Sequence, residues 1–204
     1  MALFARDWYL RGLPPGAAFL LAFLLAYLLG FGGFAGASAA ALEWRTVEPE
    51  DEQIVFRAED LTQGSFVRTS TQRMGTYTTI EVGKWSSPTA DAGIVRQVAG
   101  DLTYLYSVDP GEYVSKVLKK ALDWGPEDSI RNQLGPVSYR LAKDGGRSCI
   151  AFAIMYSYTD GTTLPSSRLA GYYCTENELR PQQVIACLGE ADYGVPACPV
   201  SDSN

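Results

Sequence analysis

The chain has 204 residues, with 17 Lys and Arg against 23 Asp and Glu, four cysteines and no histidine. A net charge of −6 disfavours nucleic acid as a partner, because phosphate contacts need clustered basic groups. Without histidine there is no Ser-His-Asp or Cys-His catalysis, no histidine-ligated zinc or haem and no histidine pH switch; C-x-x-C, P-loop, G-x-G-x-x-G and N-glycosylation motifs are also missing from the sequence.

Residues 1–16 are expected as a cytoplasmic N-terminus. Arg6 and Arg11 obey the positive-inside rule, and Trp8 and Tyr9 sit where an interfacial aromatic belt lies. Gly12 through Leu42 carry no charged side chain. Residues 17–42 would form a helix of about 39 Å, whereas a hydrocarbon core is about 30 Å thick. The run is longer than a signal-peptide apolar region of about 7–15 residues, so the expectation is a single transmembrane helix with the rest of the chain outside the cytoplasm. A cleaved signal peptide is the alternative, because Ala37-Ser38-Ala39 fits an A-x-A cleavage site. Gly32 and Gly36 form a G-x-x-x-G with Ala40 one step further, a spacing that lets two membrane helices approach closely; small residues merely ending the span are the plainer account.

Residues 43–53 (EWRTVEPEDEQ) read as a solvated acidic linker, without the ligand spacing of a calcium loop. Residues 54–204 form one extracytoplasmic domain, and residues 43–204 as a whole hold 15 basic and 22 acidic residues, or −7. Ile54–Arg57, Ser65–Ser70 and Thr76–Trp85 read as strands, dense in β-branched and aromatic residues. Ala92–Leu105 places Val95, Val98, Leu102 and Leu105 near a 3.6 period and predicts a helix. Pro110–Trp124 predicts the clearest helix, with Asp109 as N-cap, Pro110 at N1, one apolar face and a Gly125-Pro126 stop. Glu127–Leu134 is expected to add a short helical turn.

Val137–Ala142, Asp144-Gly145-Gly146 and Arg147–Tyr158 predict a hairpin, and Arg168–Cys174 extends it to a three-strand meander. In the central strand Ile150, Phe152 and Ile154 alternate with Ala151, Ala153 and Met155, so both faces are apolar and are expected to be covered, by helices. Pro181–Leu188 predicts a last helix. The fold class expected is α+β, an antiparallel sheet packed by helices.

Cys149, Cys174, Cys187 and Cys198 all lie in the exported part, where an even count favours two disulfides. Opposed residues of a hairpin have a constant number sum. For Cys149 and Cys174 that sum centres on the turn signal Thr159-Asp160-Gly161-Thr162, which places the two cysteines opposite each other. Cys149–Cys174 with Cys187–Cys198 is therefore favoured; Pro165 lengthens the connection, and the other two pairings stay open.

Lys116, Lys119 and Lys120 would share a face of the helix at Pro110–Trp124, a partner surface or simply its wet side. The eight tyrosines between Tyr104 and Tyr173 would form a binding platform or, more plainly, cross-strand packing. Glu59-Asp60 and Ser115-Lys116 are adjacent pairs and match no catalytic spacing. No cofactor is expected. The functional expectation is a non-catalytic domain anchored in the bacterial inner membrane and facing the periplasm, an accessory subunit or binding module with other membrane proteins as partners. The alternatives are a cleaved secreted binding or inhibitor protein and, third, a histidine-free hydrolase.

Overall fold

The structure is a computed structural model and describes residues 43–62, 64–73, 76–100, 105–157 and 166–193. The segments read as N-terminus and transmembrane helix, with Arg6, Trp8, Tyr9, Arg11, Gly32, Gly36 and Ala40, lie outside the described residues, as does Cys198. Among the described residues no helix is long and apolar enough to cross a membrane.

Ten strands lie among the described residues: β1 (Arg45–Thr46), β2 (Ile54–Phe56), β3 (Ser65–Arg73), β4 (Thr76–Ser86), β5 (Ala90–Ala99), β6 (Glu127–Asn132), β7 (Gly135–Asp144), β8 (Arg147–Tyr156), β9 (Ser167–Thr175) and β10 (Leu188–Glu190). Eight of them form one antiparallel sheet in the order β1-β3-β4-β5-β9-β8-β7-β6. It is two meanders, β3–β5 and β6–β9, joined edge to edge where β5 pairs with β9. β2 and β10 make a separate antiparallel pair.

The local chemistry explains the turns. Gly145 sits at φ +60, the left-handed region that a tight turn between Asp144 and Arg147 demands and that glycine adopts without cost. Ser87 Oγ accepts from the Thr89 and Ala90 amides and turns β4 into β5. Asn132 Oδ1 accepts from Leu134 N–H at 2.8 Å in the turn between β6 and β7.

The expected hairpin and meander are present, and β6 makes the meander four-stranded. The expected turn of helix at Glu127–Leu134 is thus corrected to a strand and its turn. The expected helix at Ala92–Leu105 is corrected as well, since Ala90–Ala99 is a strand. Its apolar residues occupy both faces: Ala92 and Ile94 on one, Val95 and Ala99 on the other, all buried. A strand buried on both sides carries no alternation, and a short apolar run then fits either period.

Among the described residues the helices are few and short: α1 (Pro110–Tyr113) and α2 (Pro181–Ala186). The sheet packed by helices is therefore corrected to a sheet-dominated domain. At α1 the cap is as expected, with Asp109 Oδ1 accepting from Glu112 N–H at 2.9 Å. The helix runs only one turn, widens into a π-turn at Val114–Leu118 and stops at Lys119, which is left-handed at φ 59. Ser115 Oγ bonds the Gly111 carbonyl at 2.8 Å, a back-bond that competes with helix propagation. Trp124 lies against Gly111, where a Cβ would come within 2.7 Å of its ring. Packing that half-buried indole on the turn outweighs the few tenths of a kcal/mol per residue, roughly, that helix propensity offers.

The two faces of the large sheet are covered differently. On the core face Phe66, Ile94, Val137, Ile150, Phe152, Ile154 and Leu169 pack under a second layer made of β2, β10 and α2, which contributes Ile54, Phe56, Ile185 and Leu188. Phe56 meets Trp85 and Tyr173 edge-on at 5.9 and 5.6 Å. On the opposite, clasp face, α1 and its π-turn lie over the C-terminal meander, with Arg168 4.8 Å above the Tyr113 ring. Ala151, Ala153 and Ala170 on this face are small, which lets the backbone of α1 come close.

Within residues 43–53, expected as a linker, Arg45–Thr46 pair with β3, Val47 is buried and Pro49–Asp51 form a 3-10 turn, while Glu43, Glu48, Glu50 and Asp51 stay exposed.

Candidate functional site

Three places gather polar side chains. The first is the join between the layers on the core face. Glu81 on β4 is fully buried; one carboxylate oxygen accepts from the amides of Gln53 and Ile54 at 3.0 and 3.1 Å, and the other from Arg68. One strand away, Arg96 on β5 lies opposite Glu81 and bonds Glu190 on β10, whose Oε1 also accepts from the Tyr156 hydroxyl. Glu190 Oε2 is buried without a partner among the described residues. Two arginines and two glutamates thus neutralise one another at the point where β2 and β10 meet the sheet.

The second place is the clasp around the disulfide. Cys149 on β8 and Cys174 on β9 are direct cross-strand partners and are bonded, as the number-sum argument expects. Above them Asp91, Lys120, Asp144 and Arg147 interlock: Lys120 reaches Asp144 at 2.8 Å and Asp91 at 3.5 Å, and Arg147 reaches both carboxylates. The Lys120 ammonium, followed by Arg147, holds the Asp144 carboxyl below its ordinary range against the opposing effect of burial. Burial, and then the negative Asp91, push the Tyr172 phenol up; Lys120 lies 5.5 Å over that ring. Asp144 and both sulfurs stand within 4.8 Å of one another. Disulfide sulfurs are not thiolates, however, and Asp144 is already held by two cations, so this trio does not make a metal centre.

The third is Asp60, in the loop after β2. It accepts from Tyr173 Oη at 2.6 Å, from Thr175 Oγ1 and from Asn177 Nδ2, pinning the loop to the end of β9. Burial and this carboxylate raise the Tyr173 phenol. On the clasp face Asp109 pairs with Arg140 at 2.6 Å. Burial alone would raise its carboxyl; the Glu112 amide and Arg140 hold it lower.

The three lysines do not all face solvent. Lys116 is exposed and bonds Glu112 one turn away, Lys119 is the left-handed cap, and Lys120 turns inward to the clasp. Cys187 is disulfide-bonded too. Of the tyrosines, Tyr139, Tyr156 and Tyr173 are buried and Tyr106 is exposed, while Tyr104 and Tyr158 lie outside the described residues. Neither Glu81 nor Glu190 stands out in the sequence. The only available signal is an isolated charge inside a run of β-formers, which by itself names no partner.

Two open grooves flank the start of the domain. One, of about 450 Å³, has Arg45, Asp51, Arg68 and Thr69 among its lining. The other, of about 420 Å³, runs beside β2 over Phe66 and Trp85. No family model matches the chain, and no curated protein or solved structure is found similar to it.

Proposed function

We propose that the chain is a non-catalytic domain tethered to the bacterial inner membrane and facing the periplasm, an accessory or assembly subunit that binds membrane neighbours. The observation that carries this reading is the uncharged run from Gly12 to Leu42, long enough as a helix to cross a hydrocarbon core of about 30 Å. The paired strands of the domain follow it in the chain from Arg45. A domain tethered to a membrane span meets membrane proteins at high effective concentration.

Two further features support it. Cys149, Cys174 and Cys187 are all in disulfides, which suits an oxidising compartment. The acids and bases that converge do so in opposite-charge pairs, which suits scaffolding better than proton transfer. Residues 17–42 serve in this reading as the transmembrane helix, with Gly32, Gly36 and Ala40 available for helix pairing.

The test is cross-linking in intact cells followed by extraction in mild detergent. Reproducible cross-links from the exported domain to one or a few membrane proteins are expected. A chain recovered without cross-links in every detergent overturns the subunit reading. Intact mass decides the alternative: loss of about the first 39 residues, with the product soluble, would make it a secreted binding protein.

A further inference from the structure

The β2–β10 pair has one closed edge and one open edge. Arg57 N–H bonds the Cys187 carbonyl at 3.3 Å and Ala191 N–H bonds the Gln53 carbonyl at 3.0 Å. Antiparallel bonding alternates along a strand, so Gln53, Val55 and Arg57 are the residues that face β10. The backbone groups of Ile54 and Phe56 point the other way. Glu81 takes the Ile54 N–H. The Ile54 carbonyl and both polar groups of Phe56 are left facing the groove of about 420 Å³, and among the described residues the small sheet has no third strand there.

Among the described residues that groove is an unfilled strand position in the second layer. β2, Gly64 and Phe66 line it together with Trp85, whose ring stands edge-on to that of Phe66 at 5.1 Å. Gly64 is required for this wall, since a Cβ there would lie 2.5 Å from the Trp85 indole nitrogen. Leu61 bounds one end and Glu52 the other, next to the exposed Glu50 and Asp51.

We propose that this groove is a strand-addition site, in which an extended segment of a partner protein pairs with Ile54–Phe56 as the third strand of the small sheet. The occupant is identified by what the edge offers. Two carbonyls and an amide at strand spacing are matched by another extended backbone, and main-chain bonding with side chains alternating over a pocket is how such segments are read. The acidic end selects Lys or Arg in the segment. Burial and the neighbouring Glu81 hold the Glu52 carboxyl above its ordinary value, a cost that a bound cation relieves. The site deepens the proposed function and rests on it for the kind of partner, a membrane neighbour with an extended periplasmic segment.

The test uses the full chain in mild detergent and an end-capped peptide of alternating valine and threonine with lysine at both ends. Saturable binding is expected, with slowed hydrogen exchange at the Phe56 amide. The same peptide with its central amides N-methylated should bind at least about tenfold more weakly, since several main-chain bonds are lost. Glu52→Lys should weaken the lysine-ended peptide several-fold without changing the melting temperature. Failure of the peptide to bind, binding that leaves Phe56 exchange unchanged, or equal binding of the N-methylated peptide would each overturn the site. If cross-links to a membrane protein persist in that case, the site is lost and the proposed function stands. Peptide pairing by a chain that never cross-links would instead uphold the site and remove the subunit reading.

Discussion

The core face and the clasp face of the sheet are held by different means. On the core face the second layer is fixed by apolar packing and by two carboxylates, Glu81 and Glu190, that are wholly buried. On the clasp face a disulfide and ion pairs about a fifth to a third exposed hold α1 and the meander. Buried carboxylates tolerate only one arrangement, because each must find its partners or forfeit its solvation. Partly exposed pairs can exchange partners and water at little cost. The core face thus sets how the layers register, and the clasp face adds strength.

Breaking a buried carboxylate is the sharpest way to test that contrast. Glu81→Ala removes the acceptor for two amides and for Arg68 at once and should cost about 3–5 kcal/mol in urea unfolding. A cost under about 1 kcal/mol would mean that the second layer does not depend on it. Cys149→Ser with Cys174→Ser opens a loop of sequence separation 25 and should cost about 3.5 kcal/mol by loop entropy. An unchanged melting temperature would reject the bond. Gly171→Ala tests the join between the meanders. A Cβ there would stand 2.3 Å from the Gly93 carbonyl oxygen and 2.8 Å from Ile94 Cα, both backbone atoms that cannot swing aside. A loss of about 1–3 kcal/mol is expected, and a neutral result would show that the strands can separate locally.

Arg147→Ala should be the mildest, below about 1 kcal/mol and smaller still at high salt, because the pair is partly solvated. Its pH dependence has a definite sign. The folded-state carboxyl of Asp144 lies below its unfolded value, so its contribution is complete at neutral pH and is lost as pH falls below about 4 and through the folded value. The difference in stability between wild type and Arg147→Ala should therefore shrink in acid. A difference that grew there would refute the clasp as drawn.

The C-terminal meander is the most legible part of the chain. The turn between β7 and β8 is marked by Gly145-Gly146, and the number sum of Cys149 and Cys174 favours the pairing that the strands make. β5 is not legible. It is buried on both faces, so Val95 and Ile94 carry no alternation that would separate strand from helix. Nor is the end of α1, where the Trp124 indole returning to Gly111 outweighs a helical pattern that is sound in isolation.

What the sequence determined by itself is local: the uncharged run at the N-terminus, the capped start at Asp109 and the turn at Gly145-Gly146, with Cys174 as the favoured partner of Cys149. Each depends on residues a turn or a hairpin apart, whose geometry the backbone dictates. Only the tertiary structure decided that β5 joins β9, that Arg96 meets Glu190 across 94 residues, and that β2 has no strand on its second edge among the described residues. Those outcomes depend on which buried surfaces and charges find each other across the sheet, and chain order does not record that competition.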